Sequence, residues 1–273
     1  MTTKRRYKTV LTIAGSDPSG GAGIQADIKT ISALGCYAAS ALTAVVDENT
    51  VGVYGIHDIP VPFVCGQIRS VLSDIGADAV KIGMLHSAEL IEAVADTLTG
   101  LRASNIVLDP VMVATQGGEL MQADALAAMR DVLLPMARIA TPNIPEAERL
   151  LGASIASRAD MVEAARSLSG GRVSVLLKSG HLQGDDMTDV LFDAPTRTVH
   201  YFAGRRVDTV NTHGTGCTLS SAIAAHLALG ADGPTAVARA KRYIEAAIAA
   251  GAEFEIGHGH GPVCHFFAPS RPQ

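Results

Sequence analysis

Tryptophan is absent from this 273-residue chain, and all aromatics together make up only 4% of it. Surfaces that bind single-stranded nucleic acid stack bases on aromatic rings, so this scarcity disfavours one. Long basic runs are missing too: the net charge is −5, and the one basic cluster, Lys4-Arg5-Arg6, is terminal and expected to be solvated. That balance argues against a nucleic-acid partner. No apolar run reaches the ~20 residues of a membrane-spanning helix. The N-terminus runs from Met1 to Tyr7 into an apolar strand that is itself too short for a signal-peptide core, so a cytoplasmic protein without a membrane partner is expected. The four cysteines (Cys36, Cys65, Cys217, Cys264) lie far apart with no C-x-x-C pair, signalling neither a disulfide framework nor a structural zinc site. His258, His260 and His265 make a weak metal-like pattern in a glycine-rich tail, where a turn is the better reading.

What the chain does have is alternation. Thr9–Ala14 reads as a buried strand, followed by the loop Gly15–Gly23 and a helix over about 24–34. The loop is neither G-x-G-x-x-G nor a P-loop. A second strand is expected over about 37–46, then a hairpin or flap strand over 50–57 and a helix to about 74. Strands at 79–84, 106–108, 138–140 and 173–177 alternate with helices at about 88–98, 123–133, 144–151 and 161–168. Two antiparallel edge strands follow, at 188–192 and 198–207, and a last helix covers about 233–250. The pattern predicts an α/β fold: one domain, a mostly parallel sheet with helices on both faces, and no internal linker.

Asn211-Thr212-His213-Gly214-Thr215-Gly216-Cys217-Thr218 is the central stretch, running straight into a small-residue apolar helix. Its glycines let successive N–H groups converge, and the helix start adds free amides and a positive dipole end. That junction suits a phosphate or a developing oxyanion, and its field is expected to lower the pKa of Cys217. The plain alternative is a turn before a core helix, with Cys217 as a small buried hydrophobe. Ligands of parallel sheets bind beyond the strands' carboxyl ends, where Asp109, Asn143, Glu146 and Lys178 would gather. Two carboxylates for Mg²⁺, a lysine and an amide nest are the parts for phosphoryl transfer, although each alone could be a turn, a helix cap or a solvated end.

The blocks T-I-A-G-S-D-P-S-G-G-A-G-I-Q-A-D (12–27), V-K-I-G-M-L (80–85), L-D-P-V-M-V-A (108–114), T-P-N-I-P-E-A-E (141–148) and N-T-H-G-T-G-C-T-L-S (211–220) resemble the hydroxymethylpyrimidine/phosphomethylpyrimidine kinases of thiamine biosynthesis, a ribokinase-like family. The resemblance runs from Leu11 to Phe266. It implies a three-layer α/β/α kinase domain over 1–273 (core about 9–266) with a small flap hairpin. It further implies ATP-dependent phosphorylation of 4-amino-5-hydroxymethyl-2-methylpyrimidine and then of its monophosphate, with Mg²⁺, in a homodimer for which the 50–58 hairpin is the candidate interface. Carried over by position, Gly15, Asp27, Glu48, Met84 and Val111 would line the pyrimidine pocket. Lys178, Asn143, Thr212 and Gly214 would meet the nucleotide, and Asp109 and Glu146 the metal. Gly214, Gly216 and Cys217 would form the anion hole. Whether Cys217 is the base, or a spectator beside Asp27 and electrostatics, is left open.

Three positions depart from the family pattern: Glu48 for a usual Gln, Thr115-Gln116 for Lys-Ser, and Ser179 for Gly. An ionised glutamate only accepts hydrogen bonds. Glu48 is therefore expected either to stay protonated in the closed pocket or to bind a ring-protonated pyrimidine, unless it points to solvent. A pyridoxal or pyridoxamine kinase, and a non-catalytic pyrimidine sensor, are the rival readings.

Overall fold

The computed structural model describes residues 6–113, 120–122, 124–180 and 187–270. Alternation of side chains along strands sorts the core into two layers. In β1 (Thr9–Ala14), Leu11 and Ile13 face one layer and Val10 the other. In β5 (Ala79–Ile82) the same parity holds, with Val80 and Ile82 against Ala79. The first layer is covered by α2 (Val61–Asp74), α3 (Ala88–Gly100), α4 (Ala125–Ala128), α5 (Ile144–Leu151) and α6 (Arg158–Ser169). The second is covered by α1 (Gly23–Ala33), α7 (Thr215–Ala228) and α8 (Gly233–Gly251). Burying each large apolar side chain contributes roughly 1.5–3 kcal/mol, so the two clusters hold the sheet from both sides.

The remaining strands are β2 (Tyr37–Leu42), β3 (Ala44–Glu48), β4 (Val53–Asp58), β6 (Ile106–Leu108), β7 (Ile139–Ala140), β8 (Ser174–Leu177), β9 (Asp189–Asp193) and β10 (Thr198–Phe202). The main sheet runs β10-β9-β8-β7-β6-β5-β1-β2. It is parallel from β2 to β8, with β9 and β10 antiparallel at one edge. The expected three-layer α/β/α architecture is what forms. From β1 the chain steps to β2 on one side, and later strands spread from β5 on the other. The carboxyl ends of β1 and β5 therefore flank the switch point where such sheets bind ligands.

Some elements differ from expectation. The strand expected over 37–46 is two strands: Thr43, buried, sends its hydroxyl to the Met84 carbonyl (3.0 Å) and its amide to the Ala14 carbonyl (3.0 Å). There the chain leaves the main sheet, and β3 pairs antiparallel with β4 as the flap. β4 starts at Val53 because Asn49–Gly52 make the turn: Asn49 Oδ1 accepts from the Val51 and Gly52 amides. The helix expected over 123–133 is α-helical only through Ala128, then widens into a π-turn (Met129–Leu133) and tightens into a 3-10 turn (Leu134–Met136) at Pro135. Thr115-Gln116 lie outside the described residues.

Candidate active site

Strand ends deliver the polar groups. Asp109 follows β6, Asn143 follows β7 and Lys178 follows β8; the Lys178 amide bonds the Pro142 carbonyl (3.0 Å), which sets it beside Asn143. Asn143 caps α5, taking the Glu146 amide (2.9 Å), while Glu146 Oε2 takes the Asn143 amide (2.7 Å). That reciprocal cap fixes the glutamate before any ligand arrives. Lys178 Nζ lies 3.2 Å from Asp109 Oδ1 and 3.9 Å from Glu146 Oε2. Thr141 Oγ1 and Ser220 Oγ donate to Asp109 at 3.2 and 3.1 Å. Burial would raise Asp109, but Lys178 and then Lys81 outweigh it and keep its carboxyl below the usual range. Burial also works against the Lys178 charge, and Asp109 and Glu146 overcome it. Glu146 is pushed up to about 7 by burial, with Lys178 opposing and Asp109 adding.

The glycine-rich stretch begins α7. Gly214 is its N-cap at φ 76°, and a Cβ there would collide with the Gly21 carbonyl. Only glycine fits both the backbone and the space. Thr218 N–H bonds the Gly214 carbonyl (2.8 Å), whereas the N–H groups of Gly214, Gly216 and Cys217 have no hydrogen-bond partner among the described residues. Unsatisfied amides at a helix start are an anion site in waiting. A Cβ at Gly216 would stand 3.5 Å from Asp109 Oδ2 and 3.7 Å from Lys178 Nζ. The nest, the lysine and the carboxylate therefore adjoin.

One cavity of about 300 Å³ joins these groups to the flap. Gly15, Glu48, Met84, Val111, Asp109, Asn143, Glu146, Lys178, Thr212, Gly214, Gly216 and Cys217 all contribute to its wall. Val46 and Leu120 pack with Met84 and Val111 beneath the flap, giving an apolar slot. Glu48 is half-buried and lines the cavity beside that slot; burial and then the Asp17 charge push it up to about 7, with His213 opposing.

Two expectations are corrected. Asp27 does not reach the cavity: it is fully buried and holds Lys81 Nζ through both oxygens (2.9 and 2.8 Å). Thr12 and Ser221 hydroxyls complete its shell at 2.6 and 2.7 Å. An acid this enclosed is the counter-charge of the buried lysine. Cys217, expected to be acidified by the helix start, is instead pushed up to about 12 by burial; Lys81 opposes, while Asp27 and Asp109 add to the rise. Its thiol is neutral, because a thiolate would be one more anion in a site that already holds carboxylates.

Lys81, not among the residues expected at the site, lines the cavity wall. A lysine between two valine-like positions of a buried strand was the available signal. Asp17 and His213, joined at 2.9 Å, were likewise not expected there. With Glu48 these form a group of potential ligating side chains that converges among the described residues; His258, His260 and His265 form none.

Comparison with known proteins identifies the family. Residues 17–264 match the family described as phosphomethylpyrimidine kinase. A hydroxymethylpyrimidine/phosphomethylpyrimidine kinase of Rhizobium meliloti is 50% identical over 94% of this chain and 96% of its own length. The thiamine biosynthesis bifunctional protein ThiED of Geobacter sulfurreducens is 52% identical over 95% of this chain, and the match spans 52% of that longer protein. Among solved structures, an ADP complex of Bacillus subtilis pyridoxal kinase superposes with a TM-score of 0.87 at 37% identity, covering 95% of this chain and 97% of that one. A family match over residues 17–264 and 50% identity along nearly the whole of a full-length relative leave one conclusion: this chain belongs to the phosphomethylpyrimidine kinase family.

Proposed function

We propose that the chain transfers the γ-phosphoryl group of ATP to 4-amino-5-hydroxymethyl-2-methylpyrimidine, and then a second one to the resulting monophosphate. The observation that carries this reading is a single cavity with phosphate machinery at one end and an apolar, flap-covered slot at the other. Gly15, Met84 and Val111 hold the ring in that slot, and Glu48 meets its polar edge. Asn143, Thr212 and Lys178 hold the nucleotide phosphates.

Asp109 and Glu146 are hard oxygen donors of the kind Mg²⁺ prefers, and the raised Glu146 is a carboxyl that a cation would relieve. Bound there, Mg²⁺ would supply charge neutralisation between the phosphates. Lys178 and the amides of Gly214, Gly216 and Cys217 stabilise charge on the group in flight. The neutral Cys217 thiol does not deprotonate the alcohol, and Asp27 is out of reach. A loose, dissociative transfer needs little base help, so the hydroxyl proton leaves late. A neutral thiol also suits a second acceptor that already carries a phosphate.

Free cysteines and the lack, among the described residues, of a helix long and apolar enough to cross a membrane fit a cytoplasmic, single-domain enzyme. The exposed Val45, Val51 and Tyr54 of the flap fit a homodimer interface, which light scattering of the purified protein tests.

The deciding assay is ADP release with the pyrimidine alcohol, its monophosphate and pyridoxal. Turnover with the first two supports the reading. Turnover with pyridoxal alone would make this a vitamin B6 kinase, and none with any acceptor would leave a sensor.

A further inference from the structure

Asp17 and His213 enter the chemistry above only through the charge of Glu48, yet both are nearly inaccessible, at 0% and 3% exposure. The Asp17 carboxylate gathers the amides of Ser19 (2.7 Å), Gly21 (2.8 Å) and Ala22 (2.6 Å), winding the loop after β1 around itself. It also accepts the Nε2–H of His213 at 2.9 Å, from a residue 196 positions away. His213 is anchored in turn, its amide donating to the Gly261 carbonyl at 3.0 Å. The two loops touch there without slack. A Cβ on Gly21 would stand 2.6 Å from His213 Cδ2, and one on Gly214 would overlap the Gly21 carbonyl. One loop supplies Gly15, Ser16, Ala22 and Gly23 to the acceptor end of the cavity; the other supplies the nest, which starts at the residue after His213. Glu48 is close enough that the three groups could be imagined holding a cation. Both Asp17 oxygens already accept N–H bonds, however, so the pair is built as a clasp.

We propose that Asp17 and His213 are positioning residues for phosphoryl transfer: their hydrogen bond sets the separation between the loop that seats the acceptor alcohol and the amides that grip the transferred group. This rests on the kinase reading above. Neither side chain needs to touch a reacting atom. Transfer is sensitive to such placement, since a misplacement of about 1 Å can cost about 100-fold in rate. Each loop keeps its own ligand contacts when the clasp is cut, so rate should fall while binding persists.

The experiment compares wild-type enzyme with His213→Ala, His213→Gln and Gly21→Ala. His213→Gln keeps a donor for Asp17, and Gly21→Ala wedges the loops apart while leaving the clasp residues in place. We expect His213→Ala and Gly21→Ala to lower kcat about 50-fold, with the acceptor KM and the ADP Kd within about threefold of wild type. His213→Gln should return kcat to within about fivefold. Unchanged kcat in His213→Ala would overturn the clasp, as would equal losses in the Ala and Gln variants when both melt cooperatively. If His213→Ala does not fold, Gly21→Ala decides: kcat unaffected, or KM raised in step with lost kcat, overturns it. Wild-type turnover with unaffected variants removes this inference alone, whereas wild-type failure on every acceptor removes the kinase reading with it.

Discussion

Replacing Glu48 with glutamine should abolish a pH dependence that the wild-type enzyme shows in acceptor binding. Glu48 sits on the flap with Asp17 facing it from the loop after β1 and His213 from the loop before α7. Burial and the Asp17 charge push its carboxyl up to about 7. The sign follows directly: the neutral acid dominates below that value, and the carboxylate appears as pH rises through it. A neutral carboxyl both donates and accepts, matching a ring nitrogen beside an exocyclic amine, whereas a carboxylate only accepts. A group with that pKa is about nine-tenths protonated near pH 6 and about one-tenth near pH 8. The acceptor KM should then rise about tenfold across that interval, roughly 1.4 kcal/mol of binding. If the ring carries the proton instead, the shared proton is the same one and the sign is unchanged. Steady-state KM for the pyrimidine alcohol at saturating nucleotide, across that range, is the assay. Glu48→Gln stays neutral throughout and serves as the control, since titration of the free ring or of Glu146 would persist in it. A flat wild-type profile, or an equal rise in the glutamine variant, would mean that Glu48 is not the group whose proton the acceptor needs.

Removing one partner of the buried Lys81–Asp27 pair strands the other charge, so Lys81→Met should cost about 3–5 kcal/mol in urea unfolding. The double change Lys81→Met/Asp27→Leu should recover part of that loss, the Thr12 and Ser221 hydroxyls remaining without their acceptor. Gly214→Ala forces a Cβ onto the Gly21 carbonyl at positive φ; it should lower stability by about 2–4 kcal/mol in thermal melts and abolish measurable turnover. Because the Cys217 thiol is held up at about 12, its alkylation by iodoacetamide near neutral pH should be slower than that of glutathione. Cys217→Ser should keep kcat within about tenfold; a loss of about 1,000-fold would make the thiol a base after all.

Most of the fold could be read locally. Short, near-continuous apolar runs such as Thr9–Ala14 and Val173–Leu177, and the capping residues before Ile144, report short-range physics that needs no partner. The flap could not be bounded the same way. The run 37–46 is uniformly strand-like, and only the pairing of Thr43 with Ala14 and Met84 breaks it. The rim residues were legible because parallel sheets place chemistry after their strands, a rule of topology that sequence order alone can invoke.

Charge states were not legible, because they depend on neighbours that folding brings in. Asp27 in the chain is an acid on the first turn of a helix next to a phosphate-like loop. In the fold it meets Lys81, 54 residues away, and is sealed behind it. Cys217 has the sequence context of an activated thiol, yet burial and surrounding carboxylates decide otherwise. Spacing and residue type determine which elements form and which groups reach the rim. Which of those groups is solvated, paired or protonated is decided by long-range packing, since desolvation and Coulomb interactions act through space and not along the chain.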